Sequence, residues 1–295
     1  MENGDFGSES PTTIVYADDL ARGFLGNLTP SIIPHFPYQG RGQFYNDFQD
    51  KLEIFSDNND EWVLITGVSE ETYHHEFEPE ESKSNVFSRA RAYDQQLHLL
   101  LIRMVVSTPH EVASVAFHDM LRDATRPVGV MPRPFGGYRW EPPVGGKVPD
   151  QAWTPNRLPR GRPHRWPSAV LEVTYSETRA KLRSDVRYWF RASGGDVKVV
   201  FTVTVEQRTP QIIIEKWEQD AHYPGRSHLE QVVTVSKSGH RIRVSAAPFT
   251  ISFESLFLVP ADNPEHNVIE IDEDALMEYA RTVWKCQGFE PVERV

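Results

Sequence analysis

The sequence predicts an α/β (α+β) domain, a mixed central β-sheet flanked by helices. Three observations carry this. Segments with helical spacing of apolar residues alternate with segments rich in β-branched residues. The passage 168–206 reads strand, helix, strand, a βαβ unit with a right-handed crossover if its strands are parallel. The length of 295 residues allows one large domain or two small ones, with a real core.

The elements follow in order. Residues 1 to about 12 are polar and acidic and are expected to be disordered. Residues 24–60, with Pro30, Pro34 and Pro37, read as an irregular extension, EWVLITGV (61–68) as a strand, and SEETYHHEFEPEESKS (69–84) as a polar loop. From Val86 to Val106 the apolar residues Val86, Ala90, Tyr93, Leu97, Leu100, Leu101, Met104 and Val105 fall on one broad helical stripe. A second helix is expected over 109–124, with Thr108 as N-cap, Pro109 in the first turn and Glu111 completing a capping box. GYRWEPP (137–143) and VPDQAWTP (148–155) offer short strands.

PSAVLEVTYSE (167–177) reads as a buried strand. A helix follows, with Ser176 as N-cap, Leu182, Val186, Trp189 and Phe190 as its apolar face, and Gly194-Gly195 as its end. Strands are expected at 196–206, 211–219, 229–236, 241–246 and 249–258, and a last helix at 272–286 beginning at Asp272.

Composition narrows the function classes. No apolar run approaches the roughly 20 residues needed to span a bilayer, so no membrane partner is expected. The start, MENGDFGSES, lacks the pattern of a signal peptide. The single cysteine, Cys286, excludes an intrachain disulfide and a multi-cysteine zinc site. A reducing compartment, cytoplasm or nucleus, is expected. No histidine spacing, phosphate-cradling loop or nucleophile elbow points to other chemistry.

The net charge of −11 weighs against a protein that coats nucleic acid with its whole surface. Its distribution leaves room for a local basic patch. Arg179, Arg183, Arg187 and Arg191 are spaced by four along one helix, and like charges at that spacing call for an anion opposite them. A phosphate backbone meets that need, and so does an acidic segment of the same chain, 69–81 or 261–278.

Glu172 is the residue that asks for chemistry. It sits mid-strand among apolar neighbours, where a carboxylate is costly unless paired, protonated or bound to a metal. Strand alternation places Val170, Glu172 and Thr174 on one face. If Asp150, after Pro149, lies on a neighbouring segment, Asp150 and Glu172 can share a divalent cation, and Mg²⁺ suits two carboxylates plus water and phosphate. Asp150 as a turn residue and Glu172 as a carboxylate neutralised by arginine are the structural alternatives.

These residues carry a resemblance. Pro149-Asp150, then Glu172-Val173-Thr174, a helix and a hydrophobic strand resemble the core of the PD-(D/E)XK restriction-endonuclease-like superfamily. The surrounding text, with Ser176-Glu177, Lys181-Leu182-Arg183, Asp185, Trp189, Val197–Val200 and Ile214–Trp217, is similar to poorly characterised fungal members. The resemblance covers about 110–218. It implies a division into an N-terminal extension, 1–84, and a domain, 85–295, with its core at about 108–218. It also implies cleavage of nucleic acid dependent on Mg²⁺, or Mn²⁺ in its place. Asp150 and Glu172 would hold the metal, with Glu111 as a further acid from the first core helix. Arg179, Arg183 and Arg187 would hold substrate. The chain departs from the pattern where a lysine is expected two positions after Glu172, because Thr174 stands there. Lys181 is the substitute from the next helix, and Lys216 a weaker one. Lys181 reads equally as an exposed partner of Glu177 or Asp185. A non-catalytic descendant of the fold that binds a protein partner or nucleic acid is the second reading.

Overall fold

A computed structural model describes residues 23–26, 28–31, 33–55, 62–77, 89–104, 106–128, 133–134, 146–175, 179–220, 223 and 226–291, without the side chains of 49–55 and 179–180. The expectations for 1–12, for the strand at 137–143 and for the Ser176 cap lie outside these residues.

The molecule is a mixed α/β structure with sheets flanked by helices. The first elements are β1 (His35–Pro37), α1 (Arg41–Phe55), β2 (Trp62–Thr66) and the short helix α2 (Glu70–Thr72). A π-helical turn, Tyr73–Phe77, continues α2, so the first half of the expected polar loop is helical, with Ser69 as its N-cap. Then come β3 (Ala90–Asp94), β4 (Leu99–Arg103), α3 (Thr108–Thr125), β5 (Arg133–Pro134), β6 (Gly146–Lys147) and β7 (Gln151–Thr154). The second half holds β8 (Ala169–Thr174), α4 (Arg179–Ala192), β9 (Val199–Val205), β10 (Gln211–Gln219), β11 (Ser227–Ser238), β12 (Arg241–Ser245), β13 (Phe249–Ser252), α5 (Phe253–Phe257), β14 (Val268–Ile271) and α6 (Glu273–Gln287).

The main sheet has the order β12-β11-β10-β9-β8-β7-β5. Only β8 and β9 run parallel, with Glu172 opposite Thr202, and α4 joins them as expected of a βαβ unit. On one face Leu171, Val173, Phe201 and Val203 pack against Phe117 and Leu121 of α3 and Leu276, Val283 and Trp284 of α6. On the other, Val170 and Val200 pack against Val186, Trp189 and Phe190 of α4. Each large side chain buried in this way stabilises by about 1.5–3 kcal/mol. α4 ends where Gly194 and Gly195 take φ of 59° and 89°, a conformation in which a Cβ is strained.

The helix expected over Val86–Val106 is not formed among the described residues. Its described part is the hairpin β3–β4, with His98 at φ 54° in the connection. Leu100, Leu101 and Ile102 are all fully buried, because both faces of β4 are covered. A strand buried on two sides loses its alternation and imitates a helical stripe. α3 starts one residue earlier than expected, with Ser107 accepting from the His110 N–H in place of Thr108. The late strand expected at 249–258 stops at Ser252, which caps α5.

β3 and β4 belong to a second sheet, β1-β2-β4-β3-β6. Trp62 of β2 lies opposite Arg103 of β4. The expected division at 84 therefore falls between strands of one sheet. This sheet also recruits β6, pairing Ala92 with Lys147. The chain then passes through Val148 and Pro149 to Asp150, next to the main sheet. Trp62, Arg103 and Lys147 of the smaller sheet are thereby brought to the side of the larger sheet that α4 covers.

Candidate active site

Asp150 sits immediately before β7. Its Oδ2 accepts from the Val173 N–H at 2.8 Å, so the acid expected to partner Glu172 is fastened to the strand that carries Glu172. Oδ1 accepts from Arg103 Nη1 at 3.1 Å, and Oδ2 lies 3.1 Å from His110 Nε2. That ring nitrogen is also 3.1 Å from the Val173 carbonyl oxygen. Both neighbours accept, so Nε2 carries the proton and donates to both. Burial alone would raise the Asp150 pKa. His110, Arg103 and the Val173 N–H outweigh it and hold the carboxyl well below its ordinary range.

Glu172 points to the α4 face and is buried. Its Oε1 accepts from Trp189 Nε1 at 2.6 Å and from Lys147 Nζ at 3.2 Å. Burial pushes its pKa up to about 8, against the pull of Lys147 and with a further push from Asp185 and Asp150. The mid-strand carboxyl is therefore largely protonated near neutrality.

Lys147 also reaches Asp185 Oδ1 at 3.0 Å, and Lys181 reaches Asp185 Oδ2 at 2.8 Å. The Lys181–Asp185 pair, expected at the surface, is buried at both ends. Desolvation opposes the charge on Asp185, and the two ammoniums overcome it and lower its pKa. Lys147 is fully buried, yet Asp185 and Glu172 raise its pKa. The Lys181 ammonium lies 3.9 Å from the Trp62 ring centroid, and the Arg103 guanidinium lies 5.1 Å from the same ring. Trp62 is a shared aromatic floor for two cations.

The site thus joins three carboxyl groups, Asp150, Glu172 and Asp185, to three cations, Arg103, Lys147 and Lys181. Removing an ion from water costs several kcal/mol, and only such pairing offsets it. Among the predicted site residues, Asp150, Glu172 and Lys181 are brought into one cluster. Glu111 stands on the exposed side of α3, with its carboxylate 3.8 Å from His110 Nδ1. Arg183 is exposed, while Arg187 and Arg191 are half-buried and engaged by other groups. The side chain of Arg179 is outside the described residues. Lys216 is elsewhere, donating to the Thr250 carbonyl at 2.9 Å. Thr174 is buried on the Glu172 face.

Sequence reasoning missed Arg103, His110, Lys147, Asp185, Trp62 and Trp189 as members of the cluster. One signal was available. Lys181, Asp185 and Trp189 recur every four residues on α4, a buried stripe on the side of the helix opposite the arginines. The spacing Lys147-Val148-Pro149-Asp150 also places an ammonium and a carboxylate three residues apart.

The donor set does not suit Mg²⁺ as it stands. Both oxygens of Asp150 and of Asp185, and Oε1 of Glu172, accept hydrogen bonds or ion pairs from protein donors. Mg²⁺ requires near-octahedral oxygen and keeps several waters. Among the described residues, no group of three or more His, Cys, Asp or Glu side chains is arranged to hold a metal ion.

No protein-family model matches the chain, and no curated protein matches it. Among solved structures it is similar to a protein from Anabaena variabilis ATCC 29413 described as a "putative nuclease belonging to DUF820". The likeness has 11% identity and a TM-score of 0.37, and covers 65% of this chain and 92% of that one. At that level it decides neither fold nor activity here, which rest on this chain's own topology and side chains.

Proposed function

We propose that this chain is a restriction-endonuclease-like module that binds nucleic acid without hydrolysing it. One observation carries the reading: Asp150 and Glu172, the acids that would hold the metal, are already engaged by Arg103, His110, Lys147 and Trp189. Catalysis by metal-bound water needs a metal held by free ligand oxygens with an open position left for water, and protein donors already occupy both oxygens of Asp150 and Oε1 of Glu172.

Binding is supported by three exposed arginines, Arg183, Arg241 and Arg243, that form no ion pair among the described residues. The pairing Gln211–Ser236–Arg243 puts Arg243 on the α4 face, and Arg241 alternates with it to the same side. α4 packs over β8, β9 and part of β11, and Arg241 and Arg243 of β12 stay exposed on that face. A chain of net charge −11 that presents unpaired arginines on one side of its sheet is suited to local capture of phosphates. No helix among the described residues is long and apolar enough to cross a membrane.

The test is to incubate purified protein with single- and double-stranded DNA and RNA, with Mg²⁺ or Mn²⁺, and follow both cleavage and fluorescence anisotropy. Binding without cleavage is expected. Three phosphate contacts would give a slope of log K against log salt of about −2 to −3. Arg241→Glu with Arg243→Glu should weaken binding to every sequence. Metal-dependent cleavage that Glu172→Ala abolishes would overturn the reading. No binding to any nucleic acid would move the partner to an acidic protein.

A further inference from the structure

We infer that Lys147 is the site's built-in counter-ion: its ammonium occupies the position between Glu172 and Asp185 that a divalent cation would take. The inference rests on the non-cleaving reading above and deepens it, because it names the residue responsible and the ligand class displaced.

The geometry is specific. Lys147 Nζ lies 3.2 Å from Glu172 Oε1 and 3.0 Å from Asp185 Oδ1. The Lys147 side chain is 1% exposed, Glu172 6% and Asp185 2%. An ammonium has three donors and no acceptor. Two are met by the carboxyl groups, and the Trp189 ring, 5.9 Å away, supplies an apolar wall with a negative face. Two acids from separate elements, β8 and α4, thus converge on one cation delivered by β6. A divalent ion between the same two oxygens would need its remaining positions filled by water. The buried lysine stem and ammonium take that volume. Lys181 completes the balance on the far oxygen of Asp185. In this view the lysine missing at Thr174 has not simply moved along to Lys181. Charge has arrived from the opposite side, on a strand that the smaller sheet holds in place.

The consequence is that divalent cations are excluded while Lys147 is present and admitted when its charge and bulk are removed. Thermal unfolding with and without millimolar Mg²⁺, Mn²⁺ or Ca²⁺ should leave the wild-type melting temperature unchanged. Lys147→Ala should melt lower than wild type and recover by about 5 °C or more at saturating Mn²⁺, the size of response expected when ligand exceeds its Kd about a hundredfold. Terbium gives a spectroscopic reading, since Trp189 donates to Glu172 and would sensitise an ion bound there. Emission should appear in Lys147→Ala and vanish when Glu172→Gln is added. Lys147→Gln, neutral but able to hydrogen-bond, is made in parallel, and both variants are refolded with and without Mn²⁺. Folded variants that answer to no cation overturn the inference and leave the non-cleaving reading standing. Failure of both to fold even in Mn²⁺ also counts against it. Glu172-dependent terbium emission from the wild type would overturn the inference and the non-cleaving reading together.

Discussion

The protonation of Glu172 makes a prediction whose size follows from its environment. An ordinary glutamate ionises near 4.5, and burial raises this one to about 8. Between those values the unfolded chain has lost the proton that the folded chain keeps. Stability therefore falls as pH rises from about 4.5 to about 8, and is level above. At 1.36 kcal/mol per pH unit, the full span corresponds to an effect on the order of 5 kcal/mol. The pull of Lys147 is already contained in that shift, and a few kcal/mol is the expected scale. Glu172→Gln imitates the protonated acid. It keeps an oxygen for Trp189 Nε1 and Lys147 Nζ, and it cannot ionise. Urea denaturation at pH 5, 7 and 9 should show near-equal stability of variant and wild type at pH 5. At pH 9 the variant should be more stable by a few kcal/mol. A variant equally destabilised at all three values would refute the reasoning, because it would show that the folded protein uses an ionised Glu172 throughout.

Two further perturbations follow from the same cluster. Asp150→Asn removes the negative end of the pairs with Arg103 and His110 while keeping the side-chain shape, and should cost about 3–5 kcal/mol in denaturant titration at pH 7. Asp150 and Asp185 are both held below their ordinary values. The stability they supply is present above the unfolded-state pKa of about 3.9 and is lost as pH falls below it, so the Asp150→Asn deficit should narrow below about pH 4, measured by circular dichroism. Trp62→Leu keeps apolar bulk but removes the aromatic face beneath Lys181 and Arg103, and should cost about 1–3 kcal/mol. Trp62→Phe, which keeps a weaker face, should recover part of that loss in the same assay.

Local rules made much of the fold legible. Asp272 capping α6, Gly194-Gly195 ending α4 and the β-branched runs of β9 and β10 are each short-range signals that tertiary structure left intact. The β3–β4 hairpin was not legible because the smaller sheet buries β4 on both faces, and Leu99–Leu100–Leu101–Ile102 carries no period of two. For the site, alternation along β8 correctly gave the face of Glu172, and the Pro149-Asp150 step gave its neighbour. What it could not give was their occupants. Arg103, Lys147 and Lys181 come from three separate segments, and the first two owe their place to the way the smaller sheet meets the larger one, while Lys181 comes from α4.

That meeting also bears on how the surface must work. Protonation of Glu172 leaves the cluster positive near neutrality; in the formal count, with all six ionised, Asp150, Glu172 and Asp185 balance Arg103, Lys147 and Lys181. The cluster then contributes nothing to the net charge of −11, and the whole excess of acid lies elsewhere on the chain. Basic residues in the interior cannot attract a polyanion. Any capture of nucleic acid therefore falls to exposed arginines such as Arg183, Arg241 and Arg243, working against the field of an acidic molecule. Such binding should be weak, local and steeply salt-sensitive relative to its strength. A protein that instead bound duplex tightly at physiological salt would require more phosphate contacts than these three arginines provide, and would place its interface on a surface other than this face of the sheet.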